Sequence, residues 1–348
     1  MSGKSSRRGL KYGASMTALA LVLTGCLSES PEESSESVAA DPEAIADAAE
    51  SEGSLTWYTS IPEAISTSAV EGFEAKYDIT VEMIVLTSGL MTTRYASEMD
   101  AGNSPADVVT VADPVFFGDA VSKEWMETLD EEDVPALADW PEDALREDAY
   151  ALVNIQPIGV TIDTNKADPE DFETWEQLLD PSVKGQLYLV NPANVPNWLA
   201  HMQMMSDTYG EDFLPSLAAQ DPTLVDSAVP GAQQLAAGAG TVVYPSLLSV
   251  SNPLKAQGAS VETVFPTPTT GVEQYAGIST SAPHPNAARL FMDYLLTEEA
   301  QQIINENIGS SVLGDLEGTV PLPEGYESPD VPGAVAKKAE ILSALGLG

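Results

Sequence analysis

Cysteine occurs once in these 348 residues and histidine twice. A single cysteine leaves no partner for an intrachain disulfide, so the fold rests on its own core. His201 and His284 do not stand in a metal-ligand spacing, and neither H-E-x-x-H nor G-x-S-x-G occurs. His201 falls among Met202, Met204 and Met205 in a helical pattern, as packing. His284, between Pro283 and Pro285, reads as exposed. Gly238-Ala239-Gly240 precedes a strand pattern instead of following one, the wrong context for a dinucleotide site. These absences leave catalysis little material, and the expectation is a protein that is not an enzyme and has no resident cofactor. Basic residues are scarce too: 14 Lys and Arg face 54 Asp and Glu. Phosphate neutralisation needs clustered cations, so nucleic acid is excluded as a partner. The uncharged run Tyr12–Leu23 falls short of the roughly 20 apolar residues that a membrane-spanning helix needs.

What the chain does have begins at its start. Lys4, Arg7, Arg8 and Lys11 precede that uncharged run, the layout of an export signal. Leu23-Thr24-Gly25-Cys26 closes it and resembles a bacterial lipobox, which implies a diacylglycerol thioether on Cys26 as the mature N-terminus. Two acyl chains anchor stably where one does not. Ser6-Arg7-Arg8-Gly9-Leu10-Lys11 is similar to a twin-arginine export motif, and general secretory and twin-arginine routes both stay open. The implied location is the outer face of the cytoplasmic membrane. Beyond residue 26, 10 basic residues face 54 acidic ones, a formal charge of −44. Repulsion on that scale is screened in brine, where the Debye length is about 3 Å at 1 M, so the composition points to a salt-adapted microbe with an acidic proteome.

Residues 27 to about 41 are rich in Ser and Glu and nearly free of apolar side chains, a flexible tether. A short helix pattern runs from Pro42 to Glu50. Strand and helix patterns then alternate: strands at Leu55–Tyr58, Ile79–Leu86, Ala106–Val111, Gln186–Val190 and Thr241–Tyr244, and helices at Ile65–Tyr77, Gly89–Ala101, Trp198–Thr208, Val229–Ala237 and Asn286–Leu296. Such alternation implies α/β sheets covered by helices on both faces. One long strand, Ala151–Asp163, is long enough to cross between two lobes, and Ser260–Phe265 suits a strand crossing back. The acidic stretch Asp130–Asp148 reads as a solvated surface segment.

Several pieces resemble the extracellular solute-binding proteins of ABC importers, in the group that contains ferric-iron, thiamine and phosphonate binders. They are Leu55-Thr56-Trp57-Tyr58-Thr59-Ser60, Phe73 to Val81, Ser104-Pro105-Ala106-Asp107-Val108-Val109, Trp175 to Pro181 with Lys184-Gly185, and Pro285 through Gln301. The resemblance spans residues 53–313. It implies a periplasmic-binding-protein-like fold: two α/β lobes, hinge strands between them, and a ligand cleft that closes. It also implies a monomer that captures a small solute and hands it to a membrane permease. The corresponding division is a signal segment at 1–26, a flexible acidic linker at 27–52, lobe 1 over 53–152, lobe 2 over 153–264, and 265–348 as the return to lobe 1 with a C-terminal tail. A ligand-sensing lipoprotein outside transport is the other functional class.

Open α/β sheets bind ligands at the loops beyond the strand ends. Five loops qualify: Tyr58-Thr59-Ser60, Thr87-Ser88-Gly89, Ala112-Asp113-Pro114, Asn191 to Asn194, and Tyr244-Pro245-Ser246. Hydroxyl- and amide-rich loops entering helices suit an anionic group. Trp57 or Tyr58, with Trp198, Tyr244 and Tyr275, as aromatic walls, and Asp113 as the charge, suit an organic cation. The candidate binding residues are thus Tyr58, Thr59, Ser60, Ser88, Gly89, Asp113, Asn194, Trp198, Tyr244, Ser246 and Tyr275. The resemblance also implies a ferric-iron alternative, with Fe3+ as cargo held by Tyr244, Asp113 and an added anion. Of the tyrosine pair in the iron-binding branch, one member stands here.

Overall fold

The computed structural model describes residues 42–348. The lipobox at Cys26 and the tether over residues 27 to 41 lie outside the described residues. The chain runs through α1 (Pro42–Glu52), β1 (Ser54–Thr59), α2 (Glu63–Glu74), β2 (Thr80–Val85), α3 (Ser88–Asp100), β3 (Val108–Val111) and α4 (Pro114–Ser122). A hairpin of β4 (Leu145–Arg146) and β5 (Tyr150–Pro157) follows. Next come β6 (Gly159–Asp163), β7 (Leu187–Val190), α5 (Pro196–Tyr209), α6 (Phe213–Ala218), β8 (Thr223–Val225) and α7 (Ala228–Ala236). Then β9 (Val242–Ser246), α8 (Leu248–Ala256), β10 (Val261–Val264), β11 (Gly271–Ile278), α9 (Pro285–Leu296) and α10 (Glu298–Asn305) lead to α11 (Val331–Ala336) and α12 (Lys338–Ala344).

The strands form two mixed sheets, ordered β2-β1-β3-β11-β5-β4 and β10-β6-β9-β7-β8. Each has its own apolar core. Trp57, Phe73, Phe291 and Tyr294 meet edge-on or tilted in the first, where α2 and α9 cover β1. Trp175, Trp198, Leu199, Met202 and Tyr244 fill the second. Two cores and two sheets make two lobes, the α/β arrangement that the sequence pattern implies.

Three expectations change. The long strand over Ala151–Asp163 is two strands: β5 belongs to the first sheet, β6 to the second, and Ile158 lies between them. The acidic stretch Asp130–Asp148 is not wholly solvated, because Val134, Leu137, Trp140 and Ala144 are buried in the lobe 1 core while its carboxylates face out. Residues 42–52, placed with the linker in the domain division although Pro42–Glu50 reads as a helix, form helix α1, with Ala49 buried and the Glu52 carboxylate accepting from Asn286 and from the Ala287 N–H at the start of α9. An acid at a helix N-terminus is favourable. Beyond α10 the chain still packs on the lobe 1 core through Val312, Leu313 and Tyr326, and Val331, Ala334, Ile341 and Leu345, in and just after the last two helices, then pack into the lobe 2 core.

Ion pairing is sparse. Among the described residues seven carboxyl groups contact a basic side chain: Glu299, Glu98, Asp163, Glu262, Asp107, Glu127 and Asp133. The remaining acids repel one another through solvent. Raising KCl from 0.1 M to 1 M shortens the Debye length from about 10 Å to about 3 Å and is expected to raise the unfolding midpoint by roughly 5–10 °C. Scanning calorimetry checks this, and a midpoint that stays flat or falls with salt counts against a salt-adapted fold.

Candidate functional site

The two lobes meet where β5 passes into β6 and the chain returns from β10 to β11. The Ile158 N–H donates to Thr270 O at 2.8 Å, and Thr269 Oγ1 donates to Ile158 O at 2.6 Å. Gly159 permits this closeness: a Cβ there would stand 2.3 Å from the Val264 carbonyl oxygen. Helix α5 of lobe 2 lies against β11, with His201 Nδ1 3.2 Å from Thr270 Oγ1 and Val272 joining the lobe 2 core beside Trp198. Among the described residues, two side-chain bonds join the lobes away from this crossing. Asn197 Nδ2, near the start of α5, donates to Ala112 O at 3.0 Å, and Asn252 Nδ2 donates to Asn307 O at 2.6 Å.

Beneath α5 the end of lobe 1 is a network of neutral polar groups. The Ala112 N–H donates to Ser88 Oγ, Ser88 Oγ to Ser60 Oγ at 2.9 Å, and Ser60 Oγ to Gln274 Oε1 at 2.8 Å. On the neighbouring strand, Asn154 Nδ2 donates to Ile304 O and to Asn305 Oδ1, and Gln156 Nε2 donates to Asn154 Oδ1. Gln274 and Asn154 are register partners on β11 and β5, as are Val272 and Gln156, so all four share one face of the sheet. Lobe 2 contributes a chain of hydroxyls, Ser246, Thr161, Thr263 and Ser251, each 2.6–2.7 Å from the next.

The sequence-derived candidates divide across this geometry. Ser60 and Ser88 come together in the network, and Ser246 sits in the hydroxyl chain of the opposite lobe. Asp113 lies beside Ala112, but its carboxylate caps α4 by accepting the Phe116 N–H at 3.0 Å. Burial raises its pKa, and the N–H groups of Phe116 and Val115 oppose that rise. Thr59 is buried, its Oγ1 accepting the Ile61 N–H. Gly89 is exposed at the start of α3, and Asn194 is exposed with its Nδ2 bonded to Asp226 O.

The aromatic walls are not assembled. Tyr58 lies under α3, its hydroxyl donating to Glu98 and its ring 4.8 Å from the Arg94 guanidinium carbon; burial and Glu98 push its pKa up to about 12. Tyr244 is fully buried in the lobe 2 core against Trp175 and His201, with Met202 Sδ as its hydroxyl partner. Its phenol pKa is driven well above normal by burial. Trp198 is a core residue of the same lobe. Tyr275 packs on Phe117 and Tyr150 and donates to Glu273. Aromatic bulk went to the two cores because burying it there stabilises each lobe.

The two histidines are also placed. His201 is fully buried, and desolvation lowers its pKa to about 3. His284 is not simply exposed: its Nδ1 lies 3.0 Å from the buried Asp107 carboxylate, and Ser54 Oγ lies 3.3 Å from its Nε2. That order matches a serine–histidine–aspartate relay, yet Ser54 opens β1 at the strand end opposite the Ser60 network. Sequence reading missed Gln156, Asn197 and Gln274. Their signal was amide side chains inside otherwise apolar strand and helix patterns.

The family model for bacterial extracellular solute-binding proteins matches residues 57–307. An uncharacterized protein of Haemophilus influenzae is 23% identical over 279 residues, covering 75% of this chain and 78% of that protein. The substrate-binding protein of an ABC transporter from Agrobacterium tumefaciens superposes with a TM-score of 0.72 at 17% identity, over 85% of this chain and 94% of that one. The fructose-6-phosphate-bound AfuA from Actinobacillus pleuropneumoniae gives 0.67 at 20% identity, over 85% of this chain and 99% of that one. Iron-bound HitA from Pseudomonas aeruginosa gives 0.65 at 18%, over 84% and 98%. At such identities these structures speak for the fold, which is the two-lobed one described above. The family model covers well over half of the sequence, and on that match the chain belongs to the bacterial extracellular solute-binding proteins.

Proposed function

We propose that this chain is the substrate-binding component of an ABC importer, tethered through a lipid on Cys26 to the outer face of the cytoplasmic membrane. It captures a small organic solute between its lobes and passes it, unaltered, to a membrane permease, acting as a monomer. The observation that carries this reading is the interlobe seam, where Asn197 of lobe 2 reaches Ala112 of lobe 1 directly above the Ser60–Ser88–Gln274 network. Polar side chains from both lobes converge there, so a solute bound between them is contacted from two sides. Closure around cargo by hinge motion is how such bilobed folds signal occupancy.

Ferric iron as cargo has less support. Fe(III) wants clustered hard oxygen donors, whereas the Tyr244 phenol is buried against Met202 and the Asp113 carboxylate caps a helix. No cluster of three His, Cys, Asp or Glu side chains suited to a metal occurs among the described residues.

Purification from membranes tests the reading. One small compound is expected to leave the protein on denaturation, to raise the unfolding midpoint when returned, and to survive incubation unchanged, by mass spectrometry. Cys26→Ala is expected to move the protein from the membrane to the soluble fraction. Chemical conversion of the compound, or a Cys26→Ala protein still in the membrane, contradicts the proposal.

A further inference from the structure

We propose that this protein recognises its cargo as a hydrogen-bond donor, an uncharged or cationic solute whose N–H or O–H groups bridge Gln156 Oε1 of lobe 1 and Asn197 Oδ1 of lobe 2. This rests on the solute-capture reading and narrows its ligand class. Gln156 is 3% exposed and Asn197 fully buried, and neither side-chain oxygen has a protein partner. Each amide can be oriented without ambiguity, because Asn197 directly, and Gln156 through Asn154, is tied to a backbone carbonyl that can only accept. Asn197 Nδ2 donates to Ala112 O, which leaves Oδ1 as the free end. Ile304 O accepts a hydrogen bond from Asn154 Nδ2, so Asn154 presents its Oδ1 to Gln156, Gln156 answers with Nε2, and Oε1 is left free. Flipping either amide would set two acceptors against each other. The unpartnered atoms are therefore carbonyl oxygens, costly to bury without a donor.

Ser310 Oγ, on the residue bridged to Ile155, and His201 Nε2, one turn along α5 from Asn197, are also buried without partners, and neither brings a charge. Ser88 spends its proton on Ser60, and Ser60 spends its own on Gln274. Helix α3 begins at Ser88 with no side-chain cap; Ser88 is half-buried in the network, and the next two residues, Gly89 and Leu90, are exposed. Lys338 touches the loop after β7, where its Nζ bonds Ala193 O at the exposed rim. Two buried, unpartnered carbonyl oxygens with no enclosed cation repel an oxyanion and accept ammonium, amide or hydroxyl groups. This reverses the expectation that the hydroxyl-rich loops suit an anion.

The test separates a sub-kilodalton extract of the source cells on an anion exchanger and adds each pool to the lipid-anchored protein in detergent. The flow-through is expected to raise the unfolding midpoint, and the retained, anionic pool is not. A following cation exchanger tells a polyol-like from an ammonium-bearing solute. Gln156→Met, which keeps the volume and removes the acceptor, is expected to weaken the active pool's apparent affinity about 10- to 100-fold, with the ligand-free midpoint as the check on folding. A midpoint shift carried by the anionic pool overturns the donor assignment and leaves solute capture standing. So does unchanged affinity in a folded Gln156→Met protein. No shift from either pool removes solute capture, and the assignment with it.

Discussion

Asp107→Ala is expected to destabilise the protein by about 3–5 kcal/mol, roughly a 10 °C fall in unfolding midpoint, although residue 107 lies far along the chain from most of what it holds. Its carboxylate is fully buried, and one oxygen takes the Thr56 N–H at 2.6 Å and His284 Nδ1 at 3.0 Å. The other oxygen takes the His284 N–H at 2.7 Å, at the residue that precedes α9. One side chain thus joins β1, the entry to β3 and the start of α9. Its own backbone continues the link, since the Asp107 N–H donates to Thr56 O and Asp107 O accepts the Ser279 N–H. Alanine leaves three buried or half-buried donors without an acceptor, and each costs free energy where water does not reach it. Asp107→Asn keeps the shape and part of the accepting capacity, so its loss is expected to be smaller. Urea denaturation measures both, and an alanine variant within about 1 kcal/mol of the parent contradicts this role.

Much of this architecture was legible in the sequence because the strands that build it are apolar and regular. Val108-Val109-Thr110-Val111 reads as a buried strand and Val242-Val243-Tyr244 as a strand, and both are buried strands. β11 was not legible, although it sits at the centre of the first sheet. Its residues Gly271-Val272-Glu273-Gln274-Tyr275-Ala276-Gly277-Ile278 mix two glycines with two polar side chains. Those features suit a hinge. Gly271 lies under the Tyr326 ring, and the buried Glu273 carboxylate is satisfied by hydroxyls from Tyr275, Tyr326 and Ser328, two of them in the C-terminal segment. A single-sequence pattern cannot register partners that arrive from fifty residues away.

The site divides along the same line. Ser60 and Ser88 were accessible to sequence reasoning because loops after strands carry polar groups in α/β folds. The aromatic candidates misled, since a tyrosine at a strand end looks the same whether it faces a cleft or a core. Tyr244 faces the core. Gln156 and Gln274 were hidden within strands that cross or border the hinge, where the sequence pattern gives weight to apolar neighbours.

Hinge closure is the second large effect expected, and it follows from how little holds the lobes. The strand crossing at Ile158 and Thr269-Thr270 is a fixed pivot, bonded by backbone and by the Thr269 hydroxyl. Away from the pivot the side-chain bonds that span the lobes include Asn197 to Ala112 and Asn252 to Asn307, each an amide to a carbonyl and each replaceable by water. Cargo held by Gln156 on one side and Asn197 on the other adds interactions available to the closed arrangement alone, and so shifts the population towards it.

Pulsed electron resonance between spin labels at Ser97→Cys on α3 and Thr208→Cys on α5, in a Cys26→Ala background, reads that shift as a distance. Without solute a broad distribution is predicted. With the sub-kilodalton cell extract it is predicted to narrow and move by on the order of 5 Å. Identical distributions with and without the extract, at concentrations that raise the unfolding midpoint, would show that solute binds without bringing the lobes together and would contradict the account.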